Sequence, residues 1–137
     1  MKKKFSTHWL SSKLPRKQRK YLANALLHLR HKFLNSPLSK SLRQKYKKRN
    51  LPIRKGDEVL VMRGAFRKKK AKVSSINLKR SRVILENIYR TKKDGSKVNV
   101  YFHPSKLQIH SLNLDDKHRL TALNRNKTSK EIAEKSK

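Results

Sequence analysis

The sequence has no cysteine, which removes a disulfide framework, a thiolate metal site and a cysteine nucleophile together. It also has no apolar run near the ~20 residues that a membrane-spanning helix needs. Glycine is scarce, with three in 137 residues. Carboxylates are scarcer still beside their counter-charges: 8 Asp+Glu face 39 Lys+Arg, a formal net charge of +31. None of the eight precedes Asp57. The opening Met1-Lys2-Lys3-Lys4 has the charge of a secretion signal, but Phe5-Ser6-Thr7-His8-Trp9-Leu10 supplies no apolar stretch behind it. The expectation is a soluble intracellular protein.

What is present follows from that imbalance. A chain so basic repels itself unless counter-charge comes from outside, so a polyanion belongs to its working state. Hydrophobic residues make up 34%, below the about 45–50% of an ordinary globular domain. A core is expected, but not over the whole length. The length fits one domain with appendages.

Residues 1–50 read as a basic helical extension. Pro15 suits a first helical turn, and Tyr21, Leu22, Ala25, Leu26, Leu29 and Phe33 recur at three- and four-residue steps, giving one apolar face up to Leu34. Arg16, Lys17, Arg19, Lys20, Arg30 and Lys32 surround it. Asn35-Ser36-Pro37 stops this segment. Ser39 can cap a second short helix from Lys40 through Tyr46, with Leu42 and Tyr46 on one side. Arg43, Lys45, Lys47, Lys48 and Arg49 give that helix a basic end, where cations meet the negative pole of its dipole. With no carboxylate among them, these cations are expected to be free for an external partner.

The composition changes at Leu51-Pro52-Ile53-Arg54-Lys55-Gly56-Asp57. Val59 to Met62 predicts a first strand, followed by a turn at Gly64. Ala71, Val73, Ser75 and Ile76 predict a second strand, and Val83, Ile84 and Leu85 a third. Asp94-Gly95 marks a hairpin, Val98, Val100 and Phe102 alternate as a fourth strand, and Leu107 and Ile109 make a fifth. Five short strands with tight turns predict a mainly β fold, a small five-stranded barrel over residues 51–112. Asp115 and Asp116 ahead of Lys117-His118-Arg119, with Leu120 and Leu123, predict a short helix opening a basic C-terminal segment, 113–137. From about Arg125 the chain reads as disordered.

Among polyanions, nucleic acid fits best. Arg67-Lys68-Lys69-Lys70 and Lys79-Arg80-Ser81-Arg82 lie at the two ends of the second strand, each placed to reach a phosphate ridge. Such contacts give affinity and position, with Arg as a planar fork and Lys as a point charge. Nothing resembles a sustained recognition helix or a basic zipper, which favours RNA over DNA. Phe66, in a basic turn, reads equally as a stacking ring for an unpaired base or as a lid on the barrel. Catalysis finds no support: no histidines have metal-site spacing, there is no nucleophile elbow, and the adjacent Asp57 and Glu58 would point to opposite faces of a strand. They read as local anchors for Lys and Arg. No enzyme activity, cofactor or small-molecule substrate is expected.

Lys55-Gly56-Asp57-Glu58-Val59-Leu60-Val61-Met62-Arg63-Gly64 resembles the opening of a KOW motif. The flanks narrow the resemblance: Pro15-Arg16-Lys17-Gln18-Arg19-Lys20, Leu29-Arg30-His31-Lys32, Ser36-Pro37-Leu38-Ser39-Lys40, Leu42-Arg43-Gln44-Lys45-Tyr46, Asp94-Gly95 and His103-Pro104-Ser105-Lys106. Together, over residues from about 13 to 120, they are similar to the universal L-twenty-four family of large-subunit ribosomal proteins, in its archaeal and eukaryotic form, with the first of them leaning archaeal. The resemblance implies an SH3-like barrel on large-subunit ribosomal RNA, near the exit of the polypeptide tunnel and active in subunit assembly, with neighbouring ribosomal proteins as further partners and the cytoplasmic ribosome as location. It maps Lys55, Arg63 and Gly64 to the KOW turn, Arg16, Lys17, Arg19, Lys20, Arg43 and Lys45 to an RNA-facing extension, and His103, Ser105 and Lys106 to the last barrel turn. Two departures stand out. Lys68 and Ala71 occupy places where the motif usually has glycine, so the turn must use other residues or another shape. Leu26 replaces a common proline, which leaves the two helices around it able to run on as one. The rival readings are a KOW-type transcription or translation factor that binds RNA transiently, and a DNA-packaging protein.

Overall fold

The computed structural model describes residues 5, 6, 8, 9 and 11–124. The disorder expected beyond Arg125 lies outside them.

Local chemistry explains the first helices. Pro15 opens α1 (Pro15–Asn24) at its first position, and α2 (Leu27–Phe33) follows after a break. The two do not run on as one: Ala25 and Leu26 are extended, with ψ of 137° and 154°. The Arg30 guanidinium donates to the carbonyls of Ala25 (2.9 Å) and Ala23 (2.6 Å). These are the acceptors that the end of α1 leaves open. Ala25 is buried at the break. The Tyr21 ring stacks on Trp9 at 4.3 Å and meets Phe5 and Phe33, so an aromatic cluster ties the first residues to both helices. The helix α3 (Lys40–Tyr46) forms as expected, its start capped by the Ser39 hydroxyl, which accepts from the Leu42 N–H.

Residues taken only as a helix stop turn out to be a strand. β1 (Asn35–Pro37) pairs antiparallel with β2 (Asn50–Pro52). The fully buried Ser36 donates its hydroxyl to the Pro104 carbonyl at 2.5 Å, and Leu38 bridges to Ile109. The basic extension is thereby fastened to the β domain.

The main sheet has five strands: β3 (Glu58–Val61), β4 (Lys70–Asn77), β5 (Arg82–Thr91), β6 (Lys97–Phe102) and β7 (Leu107–Ser111). Their order is β6-β5-β4-β3-β7, with every pairing antiparallel. All five expected strands are present. The expected closure into a barrel is not found: among the described residues β6 and β7 are the edges of an open sheet. Register shifts interrupt three pairings, between Glu58 and Val59, Val73 and Ser75, and Ile84 and Tyr89. Such shifts mark bulges or irregularities, places where a strand can bend.

Alternation sets the core. Val59, Val61, Val73, Val83, Leu85, Phe102, Leu107 and Ile109 are buried on the core side of the sheet. Leu38, Tyr46, Leu51, Ile53 and Leu123 join them from outside the sheet. The last comes from α4, the helical residues 117–124, whose start is capped by Asp116 accepting from the His118 N–H at 2.8 Å.

One polar constellation lies inside this core. Asp57 is fully buried, and Arg119 grips it with both terminal guanidinium nitrogens, at 2.6 and 2.7 Å. The same carboxylate accepts from the backbone N–H groups of Arg54 (2.8 Å) and Asn113 (2.9 Å). Arg119 also donates to the carbonyls of Asn113 and Pro52. Asp57 is thus an anchor for a cation, but the local anchor that its sequence context suggests is corrected: the cation comes from 62 residues away.

Candidate nucleic-acid interface

The strand order brings turns of the β domain to one side. An open groove of about 790 Å³ follows edge strand β6 and is lined by Arg63, Gly64, Phe66, Arg82, His103, Ser105 and Lys106. The KOW-like turn after β3 and the short turn before β7, far apart in sequence, thus meet in one concavity. A second groove, of about 590 Å³, adjoins it through Arg82 and His103. Arg19 and Arg30 reach it from the first two helices, and Lys79 and Arg80 from the β4–β5 turn. Among the described residues no carboxylate lines either one.

Several features keep these side chains in place. The turn from Gly64 to Lys69 is closed by backbone bonds from Arg67 N–H to Gly64, Lys69 N–H to Phe66 and Lys68 N–H to Val61. Lys68 sits at φ 70°, so a non-glycine residue does adopt the left-handed conformation that the motif usually assigns to glycine. Phe66 packs edge-on against Phe102, with ring centroids 6.0 Å apart, while also lining the groove. It therefore serves as a lid on the core, and its other face borders the cations. Asn77 Oδ1 accepts from the Arg80 N–H and fixes the β4–β5 turn.

His103 organises the turn before β7. Its Nδ1 accepts from the Ser105 N–H at 3.3 Å and lies 2.8 Å from the Ser105 hydroxyl, so the neutral ring carries its proton on Nε2. Burial first, then the charges of Arg82 and Lys106, hold the imidazole below its ordinary 6.5. A group depressed on folding contributes stability above its unfolded pKa and loses it as pH falls through the folded one. The free protein should therefore lose part of its stability as pH drops below about 6.5. His103→Asn keeps an acceptor for the Ser105 N–H but does not titrate, so its melting temperature should fall less between pH 7.5 and pH 5.5 than that of the wild type. Equal falls in a paired thermal melt would remove His103 from the account.

Other expected residues fall elsewhere. Lys69 and Lys70 line a separate depression with Lys72, but Glu58 and Glu86 share it. Lys17 and Lys20 border a recess with the Phe5, Trp9 and Tyr21 rings. Arg54 and Lys55 line a small recess beside His31. Arg16, Lys32, Lys40, Lys45, Lys47, Arg49, Arg67 and Lys68 are exposed on the surface. The expectation that the N-terminal cations all stand free is corrected. Arg30 is held by two carbonyls, Arg43 donates to the Leu38 carbonyl at 2.8 Å, Lys48 donates to the Ala122 carbonyl, and Arg54 pairs with Asp116. Helix and strand ends offer acceptors even where no carboxylate is near.

Sequence reasoning missed Arg90, Lys92, Asn99 and Tyr101, all on the β6 groove. The signal was available for Tyr101: if Phe102 points inward, its neighbour must point outward. Among the described residues no three His, Asp or Glu side chains converge as a metal site, and no helix is long and apolar enough to cross a membrane.

The family model for the eukaryotic ribosomal proteins L26 and their archaeal L-twenty-four counterparts matches residues 12–126. The chain belongs to this family. Three proteins called large ribosomal subunit protein uL24 are similar to it over most of their length. That of Korarchaeum cryptofilum is 45% identical over 128 residues, covering 93% of this chain and 98% of its own. That of Methanosphaera stadtmanae is 45% identical over 114 residues, 83% of this chain and 97% of its own. That of Nanoarchaeum equitans is 50% identical over 119 residues, 87% and 80%. Membership of this ribosomal protein family gives the chain a structural role and not an enzymatic one.

Proposed function

We propose that the chain binds large-subunit ribosomal RNA by phosphate neutralisation and supports subunit assembly near the exit of the polypeptide tunnel, within the cytoplasmic ribosome and beside neighbouring ribosomal proteins. The observation that carries this is the pair of adjoining grooves, lined by Arg and Lys and, among the described residues, by no carboxylate, on a chain of net charge +31. RNA phosphates supply the counter-charge that the chain lacks. In this reading residues 51–112 act as a rigid platform of the SH3-like barrel type. Residues 1–50 act as a basic extension fastened at β1 and β2, and 113–137 as a second basic arm begun by α4. Fixed turns on a platform position phosphates; arms reach RNA that a compact domain does not.

The test is crosslinking of the tagged protein in cells with sequencing of the attached RNA. Dense crosslinks in large-subunit ribosomal RNA are the expected result, with the protein still on the subunit after a high-salt gradient. Crosslinks spread across messenger RNA would support a transient factor instead.

A further inference from the structure

Phosphate neutralisation accounts for the cations of the β6 groove but not for its apolar surfaces. Tyr101 is 53% exposed and Val98 39% exposed, among the exposed large apolar side chains of the fold. Alternation along β6 places Val98, Val100 and Phe102 toward one face and Asn99 and Tyr101 toward the other, in agreement with the buried Phe102 pairing with Val83 and the exposed Tyr101 with Ile84. The groove touches both sets, so it runs over the free edge of the strand. Main-chain donors and acceptors that an edge strand leaves unpaired therefore border it. Phe66 and Tyr101 supply aromatic surface, Asn99 an amide, and Arg63, Arg82, Arg90, Lys92 and Lys106 the charge.

We propose that this groove takes an unpaired stretch of RNA, with Tyr101 as the ring on which a base stacks. The inference rests on the RNA-binding reading above and deepens it. A duplex presents a phosphate ridge and offers no base face; an unpaired nucleotide offers a phosphate, a flat apolar face and a hydrogen-bonding edge together. The groove has a surface for each. The volume of about 790 Å³ lies within the range of ligand clefts. An acidic peptide added as a strand to β6 would meet the charge and the main-chain edge, but it would leave Tyr101 without a purpose.

The experiment uses the full chain, with binding followed by fluorescence anisotropy of a labelled oligouridylate, a paired RNA duplex and a large-subunit ribosomal RNA fragment. Tyr101→Ala should weaken oligouridylate binding about tenfold or more, the ordinary size of one lost base stack. Duplex binding should be unchanged, and so should the salt slope, because no phosphate contact is removed. Tyr101→Phe should bind like the wild type. Thermal melts verify folding, and Tyr101→Leu, which keeps bulk but loses the aromatic face, carries the test should the alanine variant not fold. Equal losses for single strand and duplex, or no loss at all, overturn the proposal while leaving ribosomal RNA binding intact. A glutamate-rich peptide of matched charge that displaces oligouridylate equally well would assign the groove to a protein segment and overturn it too. A wild-type chain that binds none of the three RNAs would sink the underlying reading itself.

Discussion

Asp57→Ala should cost about 3–5 kcal/mol of stability, the ordinary penalty for removing one partner of a buried ion pair. Asp57 is fully buried and Arg119 is 4% exposed, so the guanidinium left behind cannot recover its water. The loss extends to the N–H groups of Arg54 and Asn113, which donate to this carboxylate. Arg119 also ties α4 to Pro52 and Asn113, so the C-terminal helix should come loose first. Urea unfolding followed by circular dichroism measures the effect. A change below about 1 kcal/mol would mean that solvent reaches the pair. The double variant Asp57→Ala with Arg119→Met should recover much of the loss, because an apolar side chain of similar length leaves no charge unpaired.

This pair shows where the sequence was informative and where it stopped. Local signals carried the strands: alternation at Val59 to Val61, glycine at the Asp94-Gly95 hairpin, an inward Phe102. The hairpin holds as that reading implied, with Ser96 donating its hydroxyl (2.6 Å) and N–H (2.9 Å) to Asp94. Those bonds, the hydroxyl first, keep the Asp94 carboxylate below its ordinary range. The Ser39 cap was likewise legible, because a cap needs only its next three residues.

Non-local facts were not legible. Asp57 could be read as an anchor, but its partner lies 62 positions on, and no local pattern distinguishes Arg119 from the rest of the 39 Lys+Arg. Strands β1 and β2 are three residues each and both contain proline, so neither carries a strand signal of its own. They exist because each finds the other, and because Ser36 finds Pro104. The break at Ala25 is different: its donor, the Arg30 side chain, lies only five residues on, but the helical periodicity of the segment gives no sign of it. For the interface, the sequence supplied the cations but could not sort them. Which of them share a groove, and which are held by a carbonyl, is decided by tertiary placement.

That sorting yields a quantitative expectation for RNA binding. Arg63, Arg82 and Lys106 share the β6 groove with no carboxylate among the described residues, whereas Lys69, Lys70 and Lys72 lie beside Glu58 and Glu86. Each phosphate contact adds about 0.7–0.9 to the slope of log affinity against log salt. Replacing Arg63, Arg82 and Lys106 together by alanine should therefore lower that slope by about 2–2.7. If the wild-type and variant lines meet near 1 M salt, where electrostatic binding has faded, the affinity at 0.1 M drops about 100–500-fold. The Lys69, Lys70 and Lys72 triple variant removes the same formal charge, yet it should lose much less, since the two glutamates already offset part of that charge. Filter binding of a large-subunit ribosomal RNA fragment across a salt series reads both slopes. Equal changes in the two variants would mean that net charge alone governs binding and that the groove has no special place in it. A steep drop confined to the groove variant would instead locate the RNA on the side where the β3–β4 and β6–β7 turns meet.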